Sequence, residues 1–257
     1  MRPPWIAFTR DVSPTITQCE LTHLARSPID VGVARHQHRA YEALLASLGC
    51  AVRRVTPAPE HPDAVFIEDT AVVLDEMAVI TRPGAAARRD EVTAVADALA
   101  PLRLLTRIES PATLDGGDVL VIGRVVYVGE TGRTNTEGVA QLRAVLAPVG
   151  YEVKGVPVSG CLHLKTAVTA VDETTVLLNP AWVDVAAFGA YRVLTVDERE
   201  PMAANALRVG EALVYGGSFP RTLERLHAAG FRPHTVDVSE LAKAEGAVTC
   251  CSLIVRA

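Results

Sequence analysis

The chain has 257 residues, with 25 Lys and Arg against 30 Asp and Glu, which gives a formal net charge of −5. Hydrophobic residues make up 49% and charged residues 21%, so wholesale disorder and a collagen-like fold are excluded. No stretch is dense in Lys and Arg, which argues against nucleic acid as a partner. The mildly negative charge suits a small cationic ligand better. A chain of this length forms one large domain or two small ones.

The absence of targeting signals and the pattern of cysteines favour the cytoplasm. No apolar run approaches the ~20 residues that a membrane-spanning helix needs, and residues 1–10 lack the apolar stretch of a signal peptide. The five cysteines, an odd number, do not indicate a disulfide framework. Without a Cys-x-x-Cys pair, a structural zinc site is not expected. We therefore expect a cytoplasmic protein with no membrane or metal partner.

Three predicted helices end in the same way. Amphipathic stretches stop at Gly49, Gly150 and Gly230, each suited to a left-handed helix cap, and an extended segment follows. The apolar residues upstream of the first two glycines recur with the 3.6-residue period of a helix. A further helix with this period covers 92–99 and ends before Pro101.

Between the helices, strand-like runs occur in pairs that begin roughly 40–50 residues apart, the spacing of a repeat architecture. The pairs are 65–75 with 77–81, 113–122 with 125–129, 163–171 with 175–178, and 205–209 with 212–215. The last run, 247–256, lacks a second half, which 5–9 could supply. The pattern predicts strand–strand–helix–strand repeats that close between the two chain ends, as in a propeller. An ordinary open α/β sheet is the alternative that the pattern leaves open.

The start of each predicted hairpin carries a polar residue, and in four of the five it is chemically reactive. These residues are, in chain order, Glu68 with Asp69, Asp115, His163, Asn205 and Cys250. Pseudo-symmetry would bring them together at the centre of the ring. Taken singly, each has a structural interpretation, such as an inert core cysteine or a hydrogen-bonded core histidine. Their coincidence across the repeats favours a catalytic site.

A thiol, an imidazole and a carboxylate from distant segments can serve as nucleophile, proton shuttle and orienting group. We expect Cys250 to attack an electrophilic carbon and His163 to protonate the leaving group and then activate water. Asp115 would orient the imidazole and favour its protonated form. The further carboxylates would oppose an oxyanion but suit a cation, so a guanidinium carbon is the electrophile that fits best.

Six motifs follow one another along the chain, at 62–69, 80–89, 113–119, 128–135, 162–165 and 245–252. They include Glu68-Asp69, Asp115-Gly116-Gly117-Asp118 and Cys250-Cys251-Ser252. In this order they resemble the dimethylarginine dimethylaminohydrolase family of the guanidino-modifying superfamily, over about 33–257. The resemblance implies a five-bladed α/β-propeller, or pentein, around a central active site, with 1–257 as a single catalytic domain.

The resemblance also implies a role for each matching residue. Cys250 would be the nucleophile, His163 the general acid and base, and Asp115 its carboxylate partner. Substrate contacts would come from Asp63, Glu68 and Asp69 around the guanidinium and its neighbours, Phe66 in the pocket, Arg88 and Arg133 at the α-carboxylate, Ala244 and Glu245 partly through backbone, and Leu21 from a lid within 15–27.

The implied reaction is hydrolysis of asymmetric dimethylarginine or monomethylarginine to citrulline and dimethylamine or methylamine. It would proceed through a covalent thiouronium on Cys250 and need no cofactor or metal ion. Such an activity belongs to arginine metabolism and nitric oxide regulation. The implied partner is a small cationic guanidino amino acid, and the implied assembly is a monomer or a homodimer.

Other activities stay open at this point. Arginine deiminases, the nearest rival, carry an acid two positions after the catalytic histidine, where this chain has Lys165. An amidinotransferase would pass the Cys-bound group to an amine, but the chain lacks long insertions. A silent binder of arginine-like ligands would not need Cys250, His163 and Asp115 together. We also expect Cys250 to be a neutral thiol in the free enzyme, because acids surround it.

Overall fold

A computed structural model describes residues 5–257, so the first four residues of the predicted domain lie outside the described part. Its strands are β1 (Trp5–Thr9), β2 (Cys50–Arg54), β3 (Ala71–Val73), β4 (Met77–Ile80), β5 (Leu104–Arg107), β6 (Val119–Ile122), β7 (Val125–Glu130), β8 (Glu152–Pro157), β9 (Val168–Ala170), β10 (Thr175–Leu178), β11 (Arg192–Thr195), β12 (Ala206–Val209), β13 (Ala212–Gly216), β14 (His234–Val236) and β15 (Leu253–Arg256). Its α-helices are α1 (Val31–Ser47), α2 (Val92–Leu99), α3 (Thr136–Leu146), α4 (Leu164–Ala167), α5 (Pro220–Ala228) and α6 (Ser239–Ala242).

The strands form five three-stranded sheets with one internal order. In four of them, two consecutive strands pair antiparallel and a third joins the second in parallel, as in β6–β7–β8. A parallel neighbour needs a crossover, and α2, α3 and α5 supply it in three sheets. In the β9–β10–β11 sheet the crossover holds only the 3-10 turn Val185–Phe188. The predicted repeat is confirmed, and the five units make a five-bladed α/β-propeller of the pentein type.

The fifth sheet joins the two ends of the chain. β15 pairs antiparallel with β1, with Leu253 opposite Phe8, and β2 joins β1 in parallel after α1. The segment 5–9 therefore supplies the half that 247–256 lacks, as predicted. Five separate small sheets also exclude the open α/β sheet that the sequence pattern left as an alternative.

Helix boundaries follow local chemistry. Asp30 accepts a hydrogen bond from the Val33 N–H at the start of α1, and Asn135 accepts one from the Gly138 N–H at the start of α3. The predicted exits Gly49, Gly150 and Gly230 have φ of 91°, 83° and 101°. A side chain with a Cβ atom rarely adopts this conformation, so glycine fixes these three chain reversals.

Apolar side chains fill the spaces between the sheets. Ile6 and Phe8 of β1 pack in one cluster with Ile80 of β4 and Leu99 of α2, and all four are at most 3% exposed. Burying each such side chain contributes about 1.5–3 kcal/mol. The cluster thus joins a strand from the N-terminal segment to the neighbouring blade. Within residues 5–257, no helix combines the length and the apolar character needed to cross a bilayer.

The first part of several predicted strands is a turn instead, and there the prediction was wrong. Glu68 and Asp69 lie in the 3-10 turn Ile67–Thr70 before β3, and His163 directly precedes α4. Successive side chains of a strand point to opposite faces of a sheet, whereas this turn buries both Glu68 and Asp69. The turns leave the strands short and bring polar groups together.

Candidate active site

One small pocket lies where the turns that precede β3, β9 and β15 come together. The residues that line it are Glu20, Asp63, Phe66, Asp69, Arg88, Arg133, Leu162, His163, Ala244, Glu245 and Cys250. Most of the predicted site residues therefore share one cavity. Asp115 and Glu68 lie in the wall around it, and Leu21 does not line it. Glu20 and Leu162 were not predicted, because nothing in a single sequence distinguishes them.

Hydrogen bonds between these turns hold the pocket together. The Glu68 N–H donates to the Cys250 carbonyl oxygen at 3.1 Å. The Gly117 N–H donates to Oδ1 of Asp69 at 2.9 Å. A Cβ atom on Gly117 would lie 2.5 Å from Nδ1 of His163, so only glycine allows the approach.

The His163 imidazole is held by the Asp115 carboxylate. Nε2 lies 3.1 Å from Oδ2 of Asp115, and the other carboxylate oxygen accepts the Gly84 N–H at 2.8 Å. Both side chains are buried, and Asp115 is 0% exposed. On the other side of the ring, Nδ1 lies 3.8 Å from Oδ1 of Asp69. The ring is thus fixed between two carboxylates while its residue lines the pocket.

This setting determines the charge of the imidazole. Burial alone would lower the pKa of His163, but the carboxylates of Asp69, Asp118 and Asp115 outweigh it and raise the pKa to about 9. At neutral pH the ring is therefore protonated and can donate a proton to a leaving group. Asp69, Asp115 and His163 also place ligand atoms within 4.8 Å of one another. The three side chains therefore form one compact cluster of ionisable groups.

Asp69 and Arg88 form a buried ion pair in the wall of the pocket. Nη1 of Arg88 donates to Oδ2 of Asp69 at 2.6 Å. The rest of the guanidinium donates to the carboxylate of Glu91 and to the carbonyl oxygens of Asp63 and Phe66. Burial would raise the pKa of Asp69, but the charges of His163 and Arg88 hold it at about 2. Asp69 is therefore an anion at neutral pH.

These contacts separate the two arginines that the resemblance assigns to the substrate's α-carboxylate. Arg88 is 5% exposed and its donors already serve protein acceptors. Arg133 is only partly buried, and its guanidinium donates to the Thr22 hydroxyl at 3.2 Å. Arg133 thus presents the more available guanidinium, while Arg88 organises Asp69.

The Glu68 carboxylate forms an ion pair with Lys165. Its Oε1 lies 2.5 Å from Nζ of Lys165, and its Oε2 accepts the Thr249 hydroxyl at 2.7 Å. Burial raises the pKa of Glu68, and the Lys165 ammonium opposes that shift. The pair also lines a second cavity of about 280 Å³, distinct from the pocket that contains Cys250.

Cys250 is half-buried at the end of the loop that precedes β15. Its Sγ accepts the Ala247 N–H at 3.4 Å. Burial and the nearby charges of Glu68 and Asp69 raise its pKa to about 12. This environment favours a neutral thiol in the free protein. The next residue, Cys251, is fully buried and donates to the Ala247 carbonyl oxygen, which is a structural position.

Segment 20–24, part of the predicted lid, lies against the pocket residues Asp63 and Glu245. The Glu245 carboxylate accepts the backbone N–H groups of Thr22, His23 and Leu24, at 3.0, 2.6 and 2.7 Å. The Glu20 N–H donates to Oδ2 of Asp63 at 3.1 Å.

Leu21, the predicted lid contact, packs against the hydrophobic cluster that includes Tyr41 and Leu45. Glu20, its neighbour, lines the pocket in its place. A larger, mainly apolar cavity of about 420 Å³ adjoins the lid and shares Leu162 and Glu245 with the pocket.

Known proteins resemble this chain in sequence and in fold. No protein-family model matches the chain. The chain is 44% identical to the N(G),N(G)-dimethylarginine dimethylaminohydrolase of Streptomyces coelicolor over 251 residues, which cover 97% of this chain and 96% of that protein. A cysteine-to-serine variant of the Pseudomonas aeruginosa enzyme, solved in complex with citrulline, superposes with a TM-score of 0.91 at 30% identity and covers 97% and 98% of the two chains.

A histidine-to-glycine variant of a dimethylarginine dimethylaminohydrolase, solved as an adduct with S-methyl-L-thiocitrulline, also has a TM-score of 0.91, at 31% identity and the same coverage. These enzymes thus share the fold, and the sequence similarity extends over nearly the whole chain. The chain belongs to the dimethylarginine dimethylaminohydrolase family.

Proposed function

We propose that this chain hydrolyses asymmetric dimethylarginine and monomethylarginine to citrulline, with release of dimethylamine or methylamine. The observation that carries the proposal is the His163 imidazole, held by Asp115, in the same pocket as the Cys250 thiol. Membership of the dimethylarginine dimethylaminohydrolase family supports it. So does the citrulline bound to the P. aeruginosa relative.

The reaction begins with Cys250. A bound guanidinium brings a positive charge next to the thiol, which lowers its pKa, and the thiol releases its proton to solvent. The sulfur then forms a bond to the guanidinium carbon, and His163 donates its proton to the methylated nitrogen as the carbon–nitrogen bond breaks. The amine leaves, and the rest of the substrate stays on Cys250 as a thiouronium.

Water completes the cycle. His163 is now neutral and takes a proton from a water molecule, whose oxygen attacks the thiouronium carbon. The carbon–sulfur bond breaks and its electron pair returns to the Cys250 sulfur. The sulfur takes the remaining hydroxyl proton, which restores the neutral thiol and releases citrulline with its carbonyl group. Asp115 and Asp69 stabilise the imidazolium at the start and the end of the cycle, because their carboxylates lie on opposite sides of the ring.

The charges around the pocket match a methylated arginine. Asp69 provides the anion beside the guanidinium, and Arg133 provides a cation for the α-carboxylate. Lys165 neutralises Glu68 at the position where arginine deiminases carry an additional acid. The pocket therefore offers fewer acceptors to unsubstituted nitrogens, which favours substrates that carry methyl groups over free arginine.

The site groups come from several blades, so we infer that the chain works as one catalytic domain. Cys250 precedes β15, His163 precedes β9, Asp115 precedes β6 and Glu68 precedes β3. Separating any of these four blades would remove part of the site.

The experiment offers asymmetric dimethylarginine, monomethylarginine and arginine in parallel to the wild-type protein, Cys250→Ser and Cys251→Ser. Citrulline and the released amine are measured. We expect dimethylamine and methylamine from the wild type and from Cys251→Ser, and no product from Cys250→Ser. Ammonia from arginine as the main product would show a deiminase instead. An absence of citrulline from all three substrates would contradict hydrolysis.

A further inference from the structure

Asp118 lies outside the pocket and is fully buried. Its carboxylate accepts three hydrogen bonds, and each comes from a different residue. Oδ1 accepts the Leu164 N–H at 2.9 Å. Oδ2 accepts the hydroxyl groups of Thr131 and Thr134, both at 2.7 Å. One carboxylate thus gathers donors from two separate segments of the chain.

Each donor belongs to a residue that lies next to, or close to, a residue of the proposed site along the chain. Leu164 directly follows His163 and begins α4. Thr131 and Thr134 flank Arg133, and the Thr131 hydroxyl oxygen also accepts the Arg133 N–H at 3.0 Å.

The Thr134 hydroxyl oxygen, in turn, accepts the Asp115 N–H at 3.1 Å. Through Asp118, the network therefore connects His163, Asp115 and Arg133.

We propose that Asp118 is a positioning residue that fixes His163, Asp115 and Arg133 relative to one another. The proposal rests on the proposed function, because it assigns to Asp118 the geometry of that same site. Asp118 itself lines no part of the pocket that holds Cys250. Its effect is exerted through the backbone of the residues that do.

The packing around the carboxylate makes these bonds hard to replace. A Cβ atom on Gly129 would lie 2.8 Å from Oδ1 of Asp118 and 2.8 Å from Cβ of Leu164. The strand β7 thus presses closely on the carboxylate, which leaves little room for a substitute water molecule at that point. An amide in place of the carboxylate would leave a buried donor without an acceptor.

Asp118 also acts on the charge of the imidazole. The carboxylates whose charge raises the pKa of His163 are those of Asp69, Asp118 and Asp115. The other titratable groups that line its pocket are Glu20, Asp63, Arg88, Arg133, Glu245 and Cys250. The negative charge of Asp118 stabilises the protonated ring. Removing it lowers the pKa of His163 and moves the alkaline limb of the rate profile to lower pH.

The test compares Asp118→Asn with the wild type, using dimethylamine release from asymmetric dimethylarginine between pH 6 and 10. We expect kcat to fall about 10²-fold, the loss that a small misplacement of a catalytic group produces. We also expect the alkaline limb to move to lower pH. A purely structural role would lower Tm and leave the limb of the folded enzyme in place.

Two further variants test the hydrogen bonds that hold Arg133 separately from those that hold His163. Thr131→Val removes the hydroxyl that holds the Arg133 loop, so KM should rise about tenfold with kcat nearly unchanged. Thr131→Ser keeps the hydroxyl and should restore the wild-type KM. This pair decides the question if Asp118→Asn does not fold.

Wild-type kcat, KM and pH profile in Asp118→Asn would overturn the inference, as would equal KM values in Thr131→Val and Thr131→Ser. A wild-type protein that releases no amine would instead overturn the proposed function. In that case an NMR titration of His163 in the wild type and in Asp118→Asn tests the positioning role directly. An unchanged pKa would then refute it.

Discussion

Nζ of Lys165 lies 2.5 Å from Oε1 of Glu68, in an ion pair whose side chains are only 15% and 10% exposed. The lysine stands two positions after His163, and Thr249 occupies the other carboxylate oxygen of Glu68. The contact links the turn before β3 to α4. The proposed preference for methylated substrates and the stability of this part of the fold can therefore be tested at one ion pair.

Lys165→Gln should destabilise the protein, because it leaves a buried carboxylate without its cation. Breaking a buried ion pair costs about 3–5 kcal/mol, and since Lys165 is slightly exposed we expect the lower end. A loss of about 3 kcal/mol corresponds to a fall in Tm of roughly 6–12 °C for a chain of this size. Scanning calorimetry measures it.

The matched control is the double variant Glu68→Gln with Lys165→Gln, which replaces the ion pair by two neutral amides. It should recover most of the lost Tm, because the burial of an unpaired charge is removed. If both variants melt at the same temperature, the Glu68–Lys165 contact does not stabilise the fold. The single variant should also gain activity on free arginine relative to dimethylarginine.

The Cys250 thiol should be neutral in the free protein. Burial, Glu68 and Asp69 raise its pKa to about 12, so a thiolate should be absent at pH 7. Thiolate absorbance, with Cys250→Ser subtracted, measures the titration. We expect no absorbance from Cys250 below pH 9. A bound guanidinium should shift the titration to lower pH, and a pKa below about 6 in the free protein would contradict the neutral thiol.

The charge of His163 predicts two pH effects. Its pKa in the folded protein, about 9, lies above its ordinary value of 6.5. The protonated ring therefore stabilises the fold fully below about pH 6.5, and this contribution is lost as the pH rises through 9. The rate of amine release should fall over the same alkaline range, because the general acid is lost.

Asp115→Asn should lower the pKa of His163 and move both alkaline effects to lower pH. It removes a negative charge 3.1 Å from Nε2. Asp97→Asn, on the exposed face of α2, changes the net charge equally and should move neither. An NMR titration of the imidazole reports the pKa in each protein. Equal pKa values in the wild type and Asp115→Asn would refute the assigned role.

Glu245→Gln should loosen the lid. Its carboxylate accepts three backbone N–H groups, and hydrogen bonds to charged groups are about 1 kcal/mol stronger than neutral ones. A change of about 1–2 kcal/mol makes the open lid about 5–30 times more populated. Limited proteolysis within 20–27 should accelerate by a similar factor, and KM should rise.

Glu240→Gln provides the control for the lid. Glu240 also accepts a backbone N–H, from Asp30 at 2.9 Å, but lies outside the pocket. Its substitution should leave proteolysis within 20–27 unchanged. Equal cleavage rates in Glu245→Gln and the wild type would show that the three contacts do not hold the lid.

The repeat could be predicted because its signals are local. Alternation, helical period and the glycine exits each lie within a few residues, and Gly49, Gly150 and Gly230 fix the chain reversals where expected. The turns at Glu68 and His163 could not be predicted in this way. Their apolar surroundings resemble a strand, and only the meeting of several turns at the pocket makes a turn favourable there.

The remaining parts of the site, which could not be predicted, depend on contacts between residues far apart in the sequence. Glu68 and Lys165 are 97 positions apart, and Glu245 holds a lid more than 220 positions away. A single sequence contains no signal for such pairs, so Lys165 stood only as a departure from the deiminase pattern. Leu21, the predicted lid contact, does not line the Cys250 pocket and is partly buried against the cluster that includes Tyr41.

Gly117→Ala should abolish most of the activity while the fold survives. The added Cβ would lie 2.5 Å from Nδ1 of His163 and 2.7 Å from Oδ1 of Asp69, so the ring must leave its position beside Asp115. A displacement of about 1 Å costs about 10²-fold in rate, and overpacking destabilises by about 1–3 kcal/mol.

Gly189→Ala is the control, because its Cβ would meet only the Ala186 carbonyl oxygen at 3.4 Å. Kinetics and Tm measured together distinguish the outcomes. A kcat within twofold of the wild type in Gly117→Ala would show that the imidazole tolerates displacement, and the close approach of this turn to His163 would then have no catalytic role.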